Sequence, residues 1–178
     1  MRNINRREFA AASLAASVPF ASAFADSDDD DGISYNNAAI HQEISLLAAP
    51  DRVYRILTTA EFDRVVQRSA AMTGAMGPVR DATPSMIDPQ EGGAFSFFGG
   101  YVTGRNIALV PGALLVQAWR AGSWDPGIFS IARFSLIAQG ADTRLVFDHS
   151  GFPSAAASHL AKGWYDNYWT PMAKVLAT

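Results

Sequence analysis

Short alternating strands followed by one long amphipathic helix make this chain an α+β domain, a curved antiparallel sheet wrapped around a C-terminal helix. Three observations carry that reading. Between Pro84 and Ser150, apolar residues alternate in runs separated by the turn signals Gly99-Gly100, Pro111-Gly112 and Gly140-Ala141-Asp142. Turns this short join antiparallel neighbours, because a parallel crossover needs a dozen or more residues. From Ser154 to Ala177, Leu160, Trp164, Asn167, Pro171 and Val175 fall in one stripe at helical spacing, flanked by Gly163 and Tyr168. A sheet of this kind has one face to cover, and that helix is the element left to cover it.

The elements follow in order. Ile40, Ile44 and Leu46 alternate with His41, Glu43 and Ser45, the period of a half-buried strand. Ala49-Pro50-Asp51 ends it and opens a helix, since proline fits the first helical turn. Thr58 and Glu61 have capping-box spacing for a second short helix, with Phe62, Val65 and Val66 as its apolar side. Ala70 to Pro78 reads as a mobile connection. Strands are then expected over Ser85–Asp88, Ala94–Phe98, Tyr101–Leu109, Leu114–Arg120, Ile128–Ala138 and Thr143–Ser150, the last ending at a glycine-proline corner. Pro171 cannot donate to Asn167 and crowds its carbonyl, which predicts a kink near Asn167. A bent helix over a curved sheet leaves room for a ligand between them.

Ahead of the domain, residues 1–25 have the layout of a twin-arginine-type signal peptide. Asn5-Arg6-Arg7-Glu8-Phe9 supplies the paired arginines, Ala10 to Phe20 a weakly apolar stretch, and Ala23-Phe24-Ala25 a small-x-small cleavage pattern. The stretch is too short and too rich in small residues for a stable transmembrane span. The expectation is export by the twin-arginine machinery to the periplasm or beyond, with no stable membrane anchor. The acidic run from Asp26 to Asp31 begins a disordered spacer over 26–37, and residues 38–178 form the domain. A calcium loop would need alternating carboxylates and a distal glutamate, and none is present.

Composition narrows the chemistry further. Net charge is −3 over 178 residues, and no basic stripe is interleaved with aromatics, so a nucleic-acid partner is not expected. There is no cysteine, which excludes thiolate nucleophiles, disulfides and cysteine-based metal sites. The three histidines, His41, His149 and His159, have no HxH or HExxH spacing, so neither a metal site nor a cofactor is called for. Gly92-Gly93 and Gly99-Gly100 serve hairpins and precede no helix, so neither cradles a phosphate.

Ile44–Leu57 (ISLLAAPDRVYRIL), Gly92-Gly93-Ala94-Phe95, Val110-Pro111 with Leu114–Arg120, Thr143–Phe152 and Gly163-Trp164 follow one another in a familiar order. Together they resemble the activator-of-heat-shock-protein-ATPase-like family, within the START-like, helix-grip superfamily (SRPBCC). The resemblance covers Ala38 to the C-terminus. It implies about seven antiparallel strands gripping the C-terminal helix, and a cavity that in the superfamily holds apolar small molecules and in some members catalyses reactions. One departure is that Val65-Val66 stand where the family often has a tryptophan. An exported protein would also not meet the cytosolic chaperone for which the family is named.

Strand alternation places Phe134, Leu136, Leu145, Phe147 and His149 on the inner face. The positions expected to contact a small hydrophobic molecule are Phe97, Trp119, Phe134, Phe147, His149, Trp164, Asn167 and Tyr168. Most apolar members of that set would ordinarily be core. His149 could donate to a ligand, act as a general base, or satisfy a group in the corner. Asp148 points to the other face, so no His-Asp dyad is supported. Asn167 in an apolar stripe either orients a ligand or accompanies the kink. Arg105, Arg120 and Arg133 are expected to pair on the outer face with Asp125, Glu91 or Asp148. The favoured function is binding of a small hydrophobic or amphipathic molecule, with no catalytic residue assigned. The alternatives are a polyketide-cyclase- or hydrolase-like enzyme using the same cavity, and a periplasmic protein-interaction module.

Overall fold

A computed structural model describes residues 37–59, 61–62, 65 and 85–177. The signal-peptide and spacer readings, Val66 and the Ala70–Pro78 connection lie outside the described residues, apart from Asn37. Seven strands, β1 (Asn37–Leu46), β2 (Met86–Ile87), β3 (Ala94–Phe97), β4 (Val102–Val110), β5 (Leu114–Ala121), β6 (Ser130–Gln139) and β7 (Asp142–Pro153), form one sheet. Its order is β1-β7-β6-β5-β4-β3-β2, and every pairing is antiparallel. Consecutive strands from β2 to β7 are neighbours, as the tight turns require. β1 closes the far edge beside β7.

Helix α1 (Pro50–Thr58) starts at the predicted proline and buries Val53, Ile56 and Leu57. The cap of the next helical residues differs from the expected box. Thr58 is still inside α1, and its hydroxyl donates back to the Tyr54 carbonyl at 2.8 Å. Thr59 takes the capping role instead, accepting from the Glu61 amide at 3.3 Å. Glu61 in turn is ion-paired with Arg52. Phe62 and Val65 are buried, on the expected apolar side.

Strand β7 runs past the expected corner. Ala38 pairs with Phe152 and Ala39 with Ser150, so Gly151 is an unopposed bulge residue. Its φ of +80° is a conformation that glycine adopts without a Cβ penalty. The bulge bends the strand but keeps it paired to Pro153. Along β7, Leu145, Phe147 and His149 are fully buried, while Asp148 on the opposite face accepts from His41 Nδ1 at 2.7 Å.

The C-terminal helix is broken into α2 (Ala157–Trp164), a π-helical turn (Tyr165–Trp169) and α3 (Thr170–Leu176). The π turn sits at the predicted kink. Because Pro171 has no amide hydrogen, the chain loses a regular bond at Asn167, and the Thr170 amide reaches back five residues to the Tyr165 carbonyl. One surplus residue rotates the rest of the helix by about 100°. Trp169 and Met172 therefore enter the core, while Val175, on the expected stripe, stays partly exposed.

Two side-chain clamps dock this helix. On β1, Gln42 donates from Nε2 to the Ala161 carbonyl at 2.9 Å and accepts from Trp169 Nε1 at 2.6 Å. On β7, His149 accepts from Trp164 Nε1 at 2.9 Å. Between the clamps lies a continuous aromatic core, with Trp164 4.4 Å from Phe147 and 4.2 Å from Tyr168 between ring centroids. No helix among the described residues is long and apolar enough to cross a membrane.

Two of the three outer-face arginines find carbonyls instead of the expected carboxylates. Arg105 donates to the Gly92 carbonyl at 2.8 Å, and Arg120 to that of Trp124. Arg133 is registered opposite Asp148, whose carboxylate bonds His41.

Candidate functional site

A cavity of about 280 Å³ lies where α2 and the π turn cross the β3–β4 turn and the end of β5. That is near the lower edge of the roughly 300–1,000 Å³ typical of small-molecule pockets. The helix contributes His159, Leu160, Gly163, Trp164, Asn167 and Tyr168; the sheet contributes Val102 and Trp119, and the turn Phe98 and Tyr101. Gly163 is what leaves space on the helix side. A Cβ placed there would meet only the Asn167 amide nitrogen, at 3.8 Å.

The turn wall is built from a strained segment. Phe98, Gly99 and Gly100 have φ of +54°, +65° and +92° in succession. For a bulky residue such as Phe98 this left-handed conformation is costly. It places the Phe98 ring edge-on to Tyr168, with centroids 5.8 Å apart. The two glycines were legible as a hairpin signal. The placement of the residue before them depends on turn geometry that composition does not specify.

Of the eight expected ligand-contacting positions, the structure brings Trp119, Trp164, Asn167 and Tyr168 together around the cavity. Phe97, Phe134, Phe147 and His149 lie in the core beneath it. Phe97 packs on Phe62 and Phe95 at centroid distances of 4.6 and 5.1 Å, and Phe134 on Phe147 at 5.0 Å. Phe98, Tyr101 and Val102 are the lining residues that strand periodicity did not single out.

His149 is fully occupied by protein. Its Nδ1 accepts from Trp164 Nε1, which fixes the ring proton on Nε2. That proton goes to Ser130 Oγ at 2.6 Å, and the serine hydroxyl donates to the Trp119 carbonyl at 3.0 Å. Each donor in this chain has an acceptor. Burial pushes the His149 pKa down to about 3, because an imidazolium here would be unsolvated and would turn an Nδ1–H against the Trp164 N–H. The neutral imidazole is a structural link between sheet and helix, with no nitrogen left for a substrate.

Trp119 Nε1 and Tyr168 Oη are both buried, and the indole N–H approaches the phenol as a donor. Burial raises the Tyr168 phenol far above the ordinary tyrosine value, and the nearby Trp119 N–H offsets this only in part. The phenol is therefore neutral. Among the described residues, the lining contains no lysine or arginine, and no cluster of three or more histidine, aspartate or glutamate side chains is able to hold a metal ion. A second cleft of about 420 Å³ runs between β1 and the helix, but Glu43 and Lys174 among its walls make it a polar surface groove.

The family described as activator of Hsp90 ATPase homolog 1-like protein matches residues 47–177. The human activator of 90 kDa heat shock protein ATPase homolog 1 is 28% identical over 138 residues, which are 78% of this chain. The chain spans only 37% of the length of that relative. Among solved structures, an HSP90 activator from Plasmodium falciparum superposes with a TM-score of 0.67 at 18% identity, covering 78% of this chain and 96% of that one. The Aha1 dimer from Colwellia psychrerythraea gives 0.57 at 17% identity, covering 78% and 96%. At these identities the two superpositions speak to fold alone. The match over residues 47–177, carried on a seven-stranded sheet that grips its C-terminal helix, makes this chain a member of the activator-of-Hsp90-ATPase-homolog-1-like family within the START-like (SRPBCC) superfamily.

Proposed function

We propose that this protein is an exported START-like domain that binds one small, mainly apolar molecule in the cavity between its sheet and the C-terminal helix. The observation that carries this is the cavity itself. Aromatic rings wall it, Gly163 keeps it open, and the helix over it is anchored by Trp164 and His149 from within the core. Binding would draw on apolar burial at roughly 25 cal/mol per Å². Export rests on the order of paired arginines, apolar stretch and small-x-small pattern in residues 1–25. A catalytic role for His149 has little support, since both its ring nitrogens are bonded to the protein.

The test uses N-phenyl-1-naphthylamine, an uncharged dye whose fluorescence rises on burial. Gly163→Leu should fill the cavity and weaken dye binding at least tenfold. Its thermal midpoint should hold or rise, because leucine is the better helix former. Equal dye binding by the native protein and the Gly163→Leu variant would contradict the reading.

A second reading, a protein-contact module, is favoured by the outer face of the sheet. Val110 pairs with Leu114 and Ile131 with Ala118 there, leaving Val110 and Ile131 49% and 41% exposed. Relatives named as activators of a 90 kDa heat shock protein ATPase fit such a role. A persistent complex on gel filtration of a periplasmic extract would favour it over the small-molecule reading.

A further inference from the structure

We infer that the free edge of β1 pairs with β1 of a second copy of this chain, antiparallel about a two-fold axis at Gln42. His41 of each copy then meets Glu43 of the other. The pairing is independent of what the cavity holds.

A sheet edge carries a row of backbone N–H and C=O groups. Proteins ordinarily blunt it with a very short strand, with proline or lysine, or with an inward-pointing charge. Among the described residues the sheet ends at β2 on one side and at β1 on the other. β2 is only two residues long. β1 has ten, none of them proline or lysine, and its inward residues Ala38, Ile40, Gln42, Ile44 and Leu46 carry no charge. The edge is also open. Successive strand residues point to opposite faces, yet Glu43, Ile44 and Ser45 all line the cleft of about 420 Å³ between β1 and the helix. A cleft that touches three residues in a row runs along the edge itself.

The residues of β1 select the occupant and its register. Directly opposed residues of an antiparallel pair share a face, so the two-fold axis must pass through a residue. An axis at Gln42 overlaps residues 38–46 of both copies, nearly the whole strand. It opposes Ile40 to Ile44 on the inner face and, on the outer face, His41 to Glu43 twice. An axis at Glu43 would set that carboxylate against its own copy, and one at His41 would oppose Glu43 to Ala39. His41 and Glu43 are exposed, with 60% and 47% of their side chains accessible. The Nδ1 bond of His41 to Asp148 leaves Nε2, 3.6 Å from Glu43 of its own chain, to face the carboxylate from the second copy. An unrelated extended peptide would satisfy the backbone groups. The reciprocal charges are what single out a second copy.

The chain has no cysteine, so introduced thiols report proximity without background. Ala39 and Ser45, both exposed, are opposed across the axis, where Cβ atoms lie about 5 Å apart. Each is six residues along the strand from its own copy, about 20 Å away. Full-length Ala39→Cys and Ser45→Cys variants are mixed and treated with bismaleimidoethane, a short thiol-to-thiol linker. Crosslinked dimer should form on the order of tenfold faster in the mixture than in either variant alone. In sedimentation equilibrium the native chain should rise in mass from one copy to two with concentration. Glu43→Lys, which sets a second basic group against His41, should weaken association about tenfold with the thermal midpoint held. A native chain that stays monomeric at every concentration would overturn the inference. A dimer whose variants crosslink no faster mixed than alone, or whose association Glu43→Lys leaves unchanged, would overturn it as well.

Discussion

Trp164→Ala is expected to destabilise the fold by about 5 kcal/mol, the upper end for large-to-small core substitutions. Trp164 is 2% exposed and its ring lies 4.4 Å from Phe147, 5.6 Å from Trp169 and 5.7 Å from Trp119 between centroids. Truncation opens a void that these rigid rings cannot collapse into. It also orphans His149 Nδ1, which accepts only from this indole, adding about 1–3 kcal/mol for an unsatisfied buried acceptor. A domain of this size has a total stability of about 5–15 kcal/mol, so the variant should be marginal or unfolded at 25 °C. Trp164→Phe separates the two contributions: it keeps most of the ring packing and loses only the N–H, so its loss should lie near 1–3 kcal/mol. Urea denaturation of both variants checks this. A Trp164→Ala loss below about 2 kcal/mol, less than the usual cost of an aromatic-to-alanine change in a core, would show that the helix is docked by other contacts.

The second large effect is acid sensitivity through His149. Its folded pKa is about 3 against roughly 6.5 when unfolded. Between those values the unfolded chain holds the proton and the folded one does not. Stability must therefore fall as the pH is lowered through that window, by up to ~1.4 kcal/mol per unit and on the order of 4 kcal/mol across it. His41 acts in the opposite sense. Its bond to Asp148 raises its pKa, so its contribution is present at low pH and lost as pH rises. His41 is exposed and screened by solvent, and the His149 effect should dominate. The check is urea unfolding between about pH 6.5 and 5, where carboxylates remain ionised. The native protein should lose about 2 kcal/mol over that interval, and His149→Phe, weaker at neutral pH, should be nearly flat. Parallel pH profiles for the two proteins would contradict this.

Much of the fold was legible because strand alternation and turn chemistry are local. The inward set Leu145, Phe147 and His149 follows from a period of two, and Pro50 marked the start of α1 unaided. What escaped was decided by register and by backbone hydrogen bonding. Gly151 looked like a corner, yet opposite Ala38 and Ala39 it is a bulge that keeps β7 paired. Thr58 and Thr59 both had a capping hydroxyl, and the length of α1 decided between them. The kink at Asn167 was foreseeable from Pro171, but its form as a π turn was not. The added residue re-phased the helix and put Trp169 and Met172 where Val175 was expected.

The candidate site was partly readable for the same reasons. Trp164, Asn167 and Tyr168 share the helix stripe, and all three reach the cavity together with Trp119. His149 is on the inward face as alternation requires. Trp164 lies over it, however, and a one-dimensional pattern cannot show which inward residue another ring will cover. Phe98 and Tyr101 reach the cavity only because the β3–β4 turn takes three left-handed residues in a row.

The most direct test of ligand binding is native mass spectrometry of the protein purified from the cells that produce it, with identification of whatever dissociates. A single bound species of a small, mainly apolar compound, absent from the Gly163→Leu variant prepared in parallel, is the predicted result. A bare protein mass in both preparations, or the same adduct on both, would contradict it.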